Sequence, residues 1–211
     1  MFNGSTGSGE VFIVDDDPLV LNALSMVLSR EGYRVTGFAE GDSFLAAAKA
    51  RVPACIILDV NMPGQSGLDI LKRLNAQQYP APVFIISGAG DIPMAVEAIK
   101  NGAFDFIEKP FDATTVVTRV REAVEAWSRR ATQANGVDAL PGAFPGHELL
   151  TARERDVLSQ IAAGASNKQA GRELGISPRT IEVHRARIME KLGAKNAADL
   201  VRIVLSEGRR A

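Results

Sequence analysis

Along the first two thirds of the chain, apolar positions switch repeatedly between two patterns. Val11-Phe12-Ile13-Val14, Cys55-Ile56-Ile57-Leu58 and Val83-Phe84-Ile85-Ile86 are unbroken apolar runs. Runs of that length without alternation suit strands buried on both faces. Arg34 to Phe38 and Phe104 to Ile107 are two further strand candidates. Between the runs the apolar period lengthens to that of a helix. Leu21, Leu24 and Leu28 mark a first helix, opened by Asp17 as cap and Pro18 as first residue. Ser43 to Lys49 is a second, and Leu68, Leu71 and Leu74 mark a third. Asp91 to Lys100 is a fourth, with Met94, Ala95 and Ala98 on one side. A fifth runs from Asp112 through Val116, Val120 and Val124 to Trp127, read as a packing residue. Five strands alternating with five helices predict an α/β unit, a five-stranded doubly wound parallel sheet with helices on both faces.

The pattern then changes. Residues 129–147 run from Ala, Thr, Gln and Asn into Leu140-Pro141-Gly142-Ala143-Phe144-Pro145-Gly146 and read as a linker whose start prolongs the fifth helix. Residues 148–211 carry four short helical patterns and no strand signal. Thr151 with Glu154 and Ser166 with Gln169 have capping-box spacing. Gly175 suits a helix end, and Ser177-Pro178 a helix start. The second and third helices, joined through Gly175-Ile176-Ser177, read as a helix-turn-helix in an all-α four-helix unit. The fourth is expected from Asn196 to Leu205, with Leu200, Val201, Val204 and Leu205 on one side.

Charge divides the chain at the same place. Residues 1–130 hold 12 Lys+Arg against 16 Asp+Glu, a net of −4; residues 148–211 hold 12 against 8, a net of +4. An acidic front and a basic back suggest modules with different partners. Residues 1–9 read as a flexible tail rather than a signal peptide. No apolar run reaches the roughly 18 residues of a membrane span. Cys55 is the single cysteine and falls in an apolar run, so it is read as a small core residue. These features fit a cytoplasmic protein.

The strand ends carry the candidate chemistry. Asp59 closes the third strand, and Met62-Pro63-Gly64 then turns the chain away. Asp15 and Asp16 close the first, Ser87 the fourth, and Lys109-Pro110 follows the fifth. In an open parallel sheet these carboxyl ends share one edge, where ligands bind. Clustered carboxylates repel one another unless a cation joins them. An all-oxygen site of this kind suits Mg²⁺. Two carboxylates for a metal, one left to attack, a mobile cation and a hydroxyl form a phosphoryl-transfer constellation.

Wound at about 100° per residue, the third helix of the second module separates into two faces. Ile181, His184, Ile188 and Leu192 fall inward; Arg179, Glu182, Val183, Ala186 and Arg187 fall outward. Arginine can reach phosphate or guanine, glutamate can accept from cytosine, and valine can touch a thymine methyl. The basic excess favours DNA over a merely solvated face. His184 reads as a packed or phosphate-touching residue rather than a base reader.

On these residues two family resemblances stand. Residues 10–128 resemble the receiver domain of two-component response regulators, a flavodoxin-like fold, in Val14-Asp15-Asp16-Asp17, Leu58-Asp59-Val60-Asn61-Met62-Pro63-Gly64, Ser87-Gly88 and Lys109-Pro110. The stretches Gly90 to Val96 and Ala103 to Phe111 are most similar to the FixJ group. The resemblance implies that Asp59 is the phosphoacceptor and that Asp15, Asp16, Asp59 and the backbone carbonyl of Asn61 bind Mg²⁺. It implies that Ser87 grips the phosphoryl group, that the rotamer of Phe106 follows Ser87, and that Lys109–Pro110 is cis. Ser87 replaces a commoner threonine, and Ala89 stands where the group often has histidine. Residues 148–211 resemble the LuxR/NarL-type DNA-binding domain in Leu150-Thr151-Ala152-Arg153-Glu154, Ser166-Asn167-Lys168, Ile176 to Arg185, and Lys191-Leu192-Gly193. The resemblance places the third helix in the major groove and adds Lys168, Thr180, His184 and Arg185 to the candidate DNA contacts. It gives the fourth helix a role in dimer contact. Ala170-Gly171 replaces a commoner Ile-Ala pair, and Gly171→Ala is expected to stabilise the module by up to about 1 kcal/mol through helix propensity.

The expectation is a phosphorylation-controlled DNA-binding transcription regulator, not a turnover enzyme. A sensor histidine kinase would donate the phosphoryl group, and promoter DNA, a second copy of the phosphorylated chain and RNA polymerase are the other expected partners. Phosphorylation would either pair two receivers or release the second module from inhibition. Two alternatives stay open: a phosphatase working through an aspartyl phosphate, and a receiver acting through protein contacts alone. The first uses a second aspartate two residues after the nucleophile, where this chain has Asn61.

Overall fold

The computed structural model describes residues 9–88, 92–133, 144 and 146–205. Ala89, Gly90 and Asp91, the tail over residues 1–8, most of the Pro-Gly segment before Gly146 and the Leu205 side chain lie outside the described residues. The chain divides into two compact units, Met1–Trp127 and Ser128–Ala211.

In the first unit the apolar runs become β1 (Glu10–Val14), β2 (Arg34–Phe38), β3 (Cys55–Asp59), β4 (Val83–Ser87) and β5 (Asp105–Glu108). They form one parallel sheet in the order β2-β1-β3-β4-β5. Between and after them come α1 (Pro18–Arg30), α2 (Gly41–Ala50), α3 (Gly67–Leu74), α4 (Ile92–Lys100) and α5 (Ala113–Gln133), whose residues up to Trp127 belong to this unit. The unbroken runs are buried throughout: every residue of β3 and β4 is out of solvent. Phe12, Phe38 and Phe44 meet edge to face on one side of the sheet, and Phe84, Phe104 and Trp127 continue the aromatic packing elsewhere. The Trp127 indole N–H also donates to the Pro80 carbonyl.

The order reverses between β1 and β3, so these central strands flank the topological switch point where such sheets bind ligands. Val14 pairs with Leu58, and Asp59 with Ile86, which brings the ends of β1, β3 and β4 level. Several element ends differ from expectation by a residue or two, among them the starts of α2 and β5. α2 starts at Gly41, two residues before Ser43, because the Ser43 hydroxyl donates to the Glu40 carbonyl from inside the first turn instead of capping it. β5 starts at Asp105, one residue late, and Phe104 packs against Phe84 and Trp127 just before it.

The second unit contains a 3₁₀ turn (His147–Leu149) and helices α6 (Ala152–Ala162), α7 (Asn167–Leu174), α8 (Pro178–Leu192) and α9 (Ala197–Leu205). Both expected capping boxes form, at Thr151–Glu154 and Ser166–Gln169. Gly175 and Gly193 end α7 and α8 in the left-handed conformation that glycine adopts without strain. Val157, Leu158, Ile161, Ala170, Ile176, Ile181, Ile188, Leu200 and Val204 make the core. Glu154 is fully buried within it. Its Oε2 accepts from the Thr151 N–H and from Lys191 Nζ, each at 2.7 Å, tying α6 to α8.

The expectation for Gly171 is overturned. A Cβ at this position would lie 2.6 Å from the Ile176 carbonyl oxygen and 3.4 Å from the Pro178 nitrogen. The turn between α7 and α8 passes directly over Gly171, so the residue makes room for backbone rather than thinning the packing.

Candidate functional site

Two of the three acidic side chains at the switch point are held by their own turns. Asp15 Oδ1 accepts from the Asp17 N–H at 2.9 Å, and Asp59 Oδ2 from the Asn61 N–H at 2.9 Å. Both carboxylates are buried, whereas Asp16 is exposed. Carboxylate oxygens of Asp15, Asp16 and Asp59 all lie within 4.8 Å of one another. Lys109 reaches the cluster from the end of β5, where its N–H donates to the Ser87 carbonyl at 2.6 Å; its peptide bond to Pro110 is cis. Its Nζ lies 3.0 Å from Asp15 Oδ2 and 2.8 Å from Asp59 Oδ1. The second approach lacks hydrogen-bond geometry, so Asp59 Oδ1 is buried with an ion pair but no hydrogen bond.

Electrostatics follow from this crowding. Burial raises the Asp15 carboxyl above its ordinary value, outweighing the Asp17 N–H and Lys109. Burial works against the Lys109 charge, yet the carboxylates of Asp59 and Asp15 outweigh it and raise the ammonium. Three carboxylates gather here, Lys109 pairs with two of them, and one buried oxygen is short of a donor. Hard oxygen ligands with surplus negative charge match a small divalent cation.

Ser87 is nearby and buried, but its hydroxyl points to the Gly88 carbonyl at 3.3 Å and the Met94 sulfur at 3.9 Å. Phe106 is buried, and the Asn61 side chain is exposed. Gly67 shapes the same turn. Its N–H donates to the Val60 carbonyl at 2.9 Å, and a Cβ there would clash with the Asp59 carbonyl and lie 2.8 Å from Val60 Cα. Sequence reasoning missed Gly67, because a glycine opening a helix gives no sign of what packs against it.

In the second unit α8 presents Arg179, Glu182 and Ala186 to solvent, with Val183 and Arg185 half-buried. Lys168 is exposed on α7. Two candidate DNA contacts, Thr180 and Arg187, sit elsewhere than expected, and His184 lies inward as the helical wheel placed it. Thr180 is fully buried, with its hydroxyl 2.8 Å from that of Ser177, so it belongs to the helix start. His184 is buried and faces Glu154, Arg153, Arg187 and Lys191; burial and the surrounding cations push its imidazole down to about 3. Neither side chain is open to a groove here. Arg187 turns toward buried Glu154, its Nε 3.6 Å from Oε1. Asn167, also missed, bridges Glu182 and Arg185: its amide N–H donates to Glu182 Oε1 at 3.2 Å, and its Oδ1 accepts from Arg185 at 3.1 Å.

Residues 11–121 match the response regulator receiver domain family, and residues 148–204 match the luxR family of bacterial regulatory proteins. The chain belongs to the response regulator family. This response regulator is 40% identical to the transcriptional regulatory protein FixJ of Bradyrhizobium diazoefficiens over 204 residues, 96% of this chain and 98% of that protein. It is 41% identical to FixJ of Rhizobium meliloti, over 94% and 96% of the two chains. The crystal structure of full-length FixJ from B. japonicum aligns at a TM-score of 0.53 and 38% identity, covering 98% of this chain and 100% of that one. The pairing of modules is that of a FixJ-like, phosphorylation-controlled transcription regulator, not a classical enzyme. It implies a sensor kinase and DNA as partners, and an acidic pocket of the sort at which receiver domains generally bind Mg²⁺.

Proposed function

We propose that Asp59 accepts a phosphoryl group from the phosphohistidine of a sensor kinase, and that the resulting charge controls promoter binding through α8. The observation that carries this reading is Asp59 itself, buried at the end of β3 beside Asp15 and 2.8 Å from Lys109 Nζ. An Asp59 carboxylate oxygen attacks phosphorus, an O–P bond forms, the N–P bond breaks, and the histidine nitrogen keeps the bond's electrons. Lys109 holds the Asp15 and Asp59 carboxylates in place before transfer and offsets the anionic product afterwards. Asp15, Asp16, Asp59 and the Asn61 carbonyl would hold Mg²⁺, which when bound offsets charge on the phosphoryl oxygens.

The acyl phosphate carries roughly −1.5 to −2 charge where a carboxylate stood, so the site gains up to about one negative charge together with the phosphoryl oxygens as new acceptors. Ser87 then turns its hydroxyl from Met94 toward the phosphoryl oxygens, and Phe106 follows into the space released. Such a switch acts only by the difference in these contacts between two states. Hydrolysis of the aspartyl phosphate is slow, since Asn61 supplies no carboxylic acid to assist it. The activated protein pairs with a second copy, sits on promoter DNA in the cytoplasm and works with RNA polymerase. No helix among the described residues is long and apolar enough to cross a membrane.

The test is labelling with acetyl phosphate, followed by mass spectrometry of the intact chain. One phosphoryl group should appear with Mg²⁺ present, vanish with chelator, and be absent in Asp59→Asn, whose circular dichroism should match the parent. Labelling of that variant at the parental rate would refute the assignment. Catalytic turnover of excess phosphoester would favour the phosphatase reading.

A further inference from the structure

Glu182 and Arg185 lie three residues apart on α8, on the side reached by the first turn of α7. Opposite charges at that spacing ordinarily attract each other. Instead, the Asn167 amide stands between them. It turns its N–H end to the carboxylate and its carbonyl end to the guanidinium. Reversing the amide would set oxygen against carboxylate and N–H against guanidinium, so chemistry allows one orientation only. Among the described residues Asn167 is the one side-chain partner of both Glu182 and Arg185. Asn167 has no cap to maintain, because Ser166 and Gln169 form the capping box of α7.

We infer that Asn167 is a positioning residue for sequence readout: it holds the Glu182 carboxylate and the Arg185 guanidinium apart and pre-aimed, so that Glu182 meets a base edge. This rests on the reading of α8 as the DNA-reading helix. A carboxylate at a DNA surface is repelled by every phosphate and gains only where a base donates to it. Left unheld, it would swing away or close on Arg185. Two long side chains ordered before DNA arrives also lose less freedom on binding. Asn167 thus acts through Glu182, and its contribution is to preference between sequences.

The experiment uses the full chain, with and without acetyl phosphate. Sites selected from random DNA, their single-base-pair variants and a scrambled duplex are titrated over a salt series with the parent, Asn167→Ala, Asn167→Asp, Glu182→Ala, Arg179→Ala and the Asn167→Ala/Glu182→Ala pair. Alanine is a better helix former than asparagine, and aspartate suits a first helical turn, so α7 survives both changes. Asn167→Ala should lose about three- to tenfold of discrimination, the worth of a hydrogen bond or two, at the base pair that Glu182→Ala affects. Its salt slope and its affinity for scrambled DNA should match the parent. In the Glu182→Ala background it should have no further effect. Asn167→Asp, which sets a carboxylate against Glu182, should lose at least as much at that base pair. Preference left intact in Asn167→Ala, or losses that add in the double variant, would overturn the inference. So would uniform weakening with a shallower salt slope, which would make Asn167 a phosphate contact. If Glu182→Ala changes preference while both Asn167 variants do not, positioning alone fails. If Glu182→Ala and Arg179→Ala leave DNA binding untouched, the reading of α8 fails and the inference with it.

Discussion

Replacing Gly171 by alanine sets two effects of one methyl group against each other. Within α7 alanine gains up to about 1 kcal/mol over glycine from helix propensity. The methyl would, however, sit 2.6 Å from the Ile176 carbonyl oxygen, with the Pro178 nitrogen at 3.4 Å and the Ser177 carbonyl carbon at 3.5 Å. All three are backbone, so no rotamer change relieves the contact. The turn is also pinned to Gly171, whose carbonyl accepts from the Ile176 N–H at 2.9 Å. Overpacking of this kind costs about 1–3 kcal/mol, and loosening that hydrogen bond adds about 1 kcal/mol. The net is a loss of about 1–3 kcal/mol for the second unit. In a domain of this size that lowers Tm by about 5–20 °C. Trp127 is the single tryptophan and belongs to the first unit, so its fluorescence reports that unit while circular dichroism reports both. Gly171→Ala should move a circular-dichroism transition down and leave the fluorescence midpoint in place. A Tm that rises or does not move would refute the close approach.

Gly67→Ala should slow acetyl-phosphate labelling of Asp59 by about tenfold or more, as a small misplacement of a reacting group costs that much or greater, because its Cβ would press on the Asp59 and Val60 backbone; labelling at the parental rate would show that the turn yields. His184 is held neutral in the folded chain, its imidazole down to about 3, while in the unfolded chain it protonates near 6.5. Its contribution is therefore complete above about pH 6.5 and is lost as pH falls toward the folded value, by at most about 1.4 kcal/mol per unit. Urea titrations at pH 7 and pH 5 should show a loss that is smaller in His184→Leu, and an equal loss in both would assign the acid sensitivity to other groups. Arg179 is exposed near the start of α8, so Arg179→Ala should weaken binding to all sequences alike and lower the salt slope by about 1. Relaxed specificity at one base pair would instead make it a base reader.

Local grammar carried much of the fold. Unbroken apolar runs named three of the five strands because a strand covered on both faces has no polar side to show. Asp17-Pro18, Thr151 with Glu154, Ser166 with Gln169 and Ser177-Pro178 opened helices where their side chains can bond free N–H groups within one turn. Asp15, Asp59, Ser87 and Lys109 were legible as a group because parallel strands bring their carboxyl ends to one edge, which alternation alone implies.

What stayed hidden depends on approaches between segments far apart in sequence or on side-chain direction. Glu154 reads as a cap, but only the packing of α6 on α8 makes it the buried partner of Lys191, 37 residues away. Arg187 lay on the boundary of the helical wheel, and the charge of Glu154 drew it inward from the outer face. Thr180 sits one turn from the helix start, where its hydroxyl meets Ser177 rather than solvent. Propensity made Gly171 look like a defect, whereas the turn laid over it makes it a requirement. Hydrophobic period and caps are properties of neighbouring residues, so the chain by itself determines them. The clearance above a Cα, and the partner that claims a charged side chain, exist only after the elements have packed.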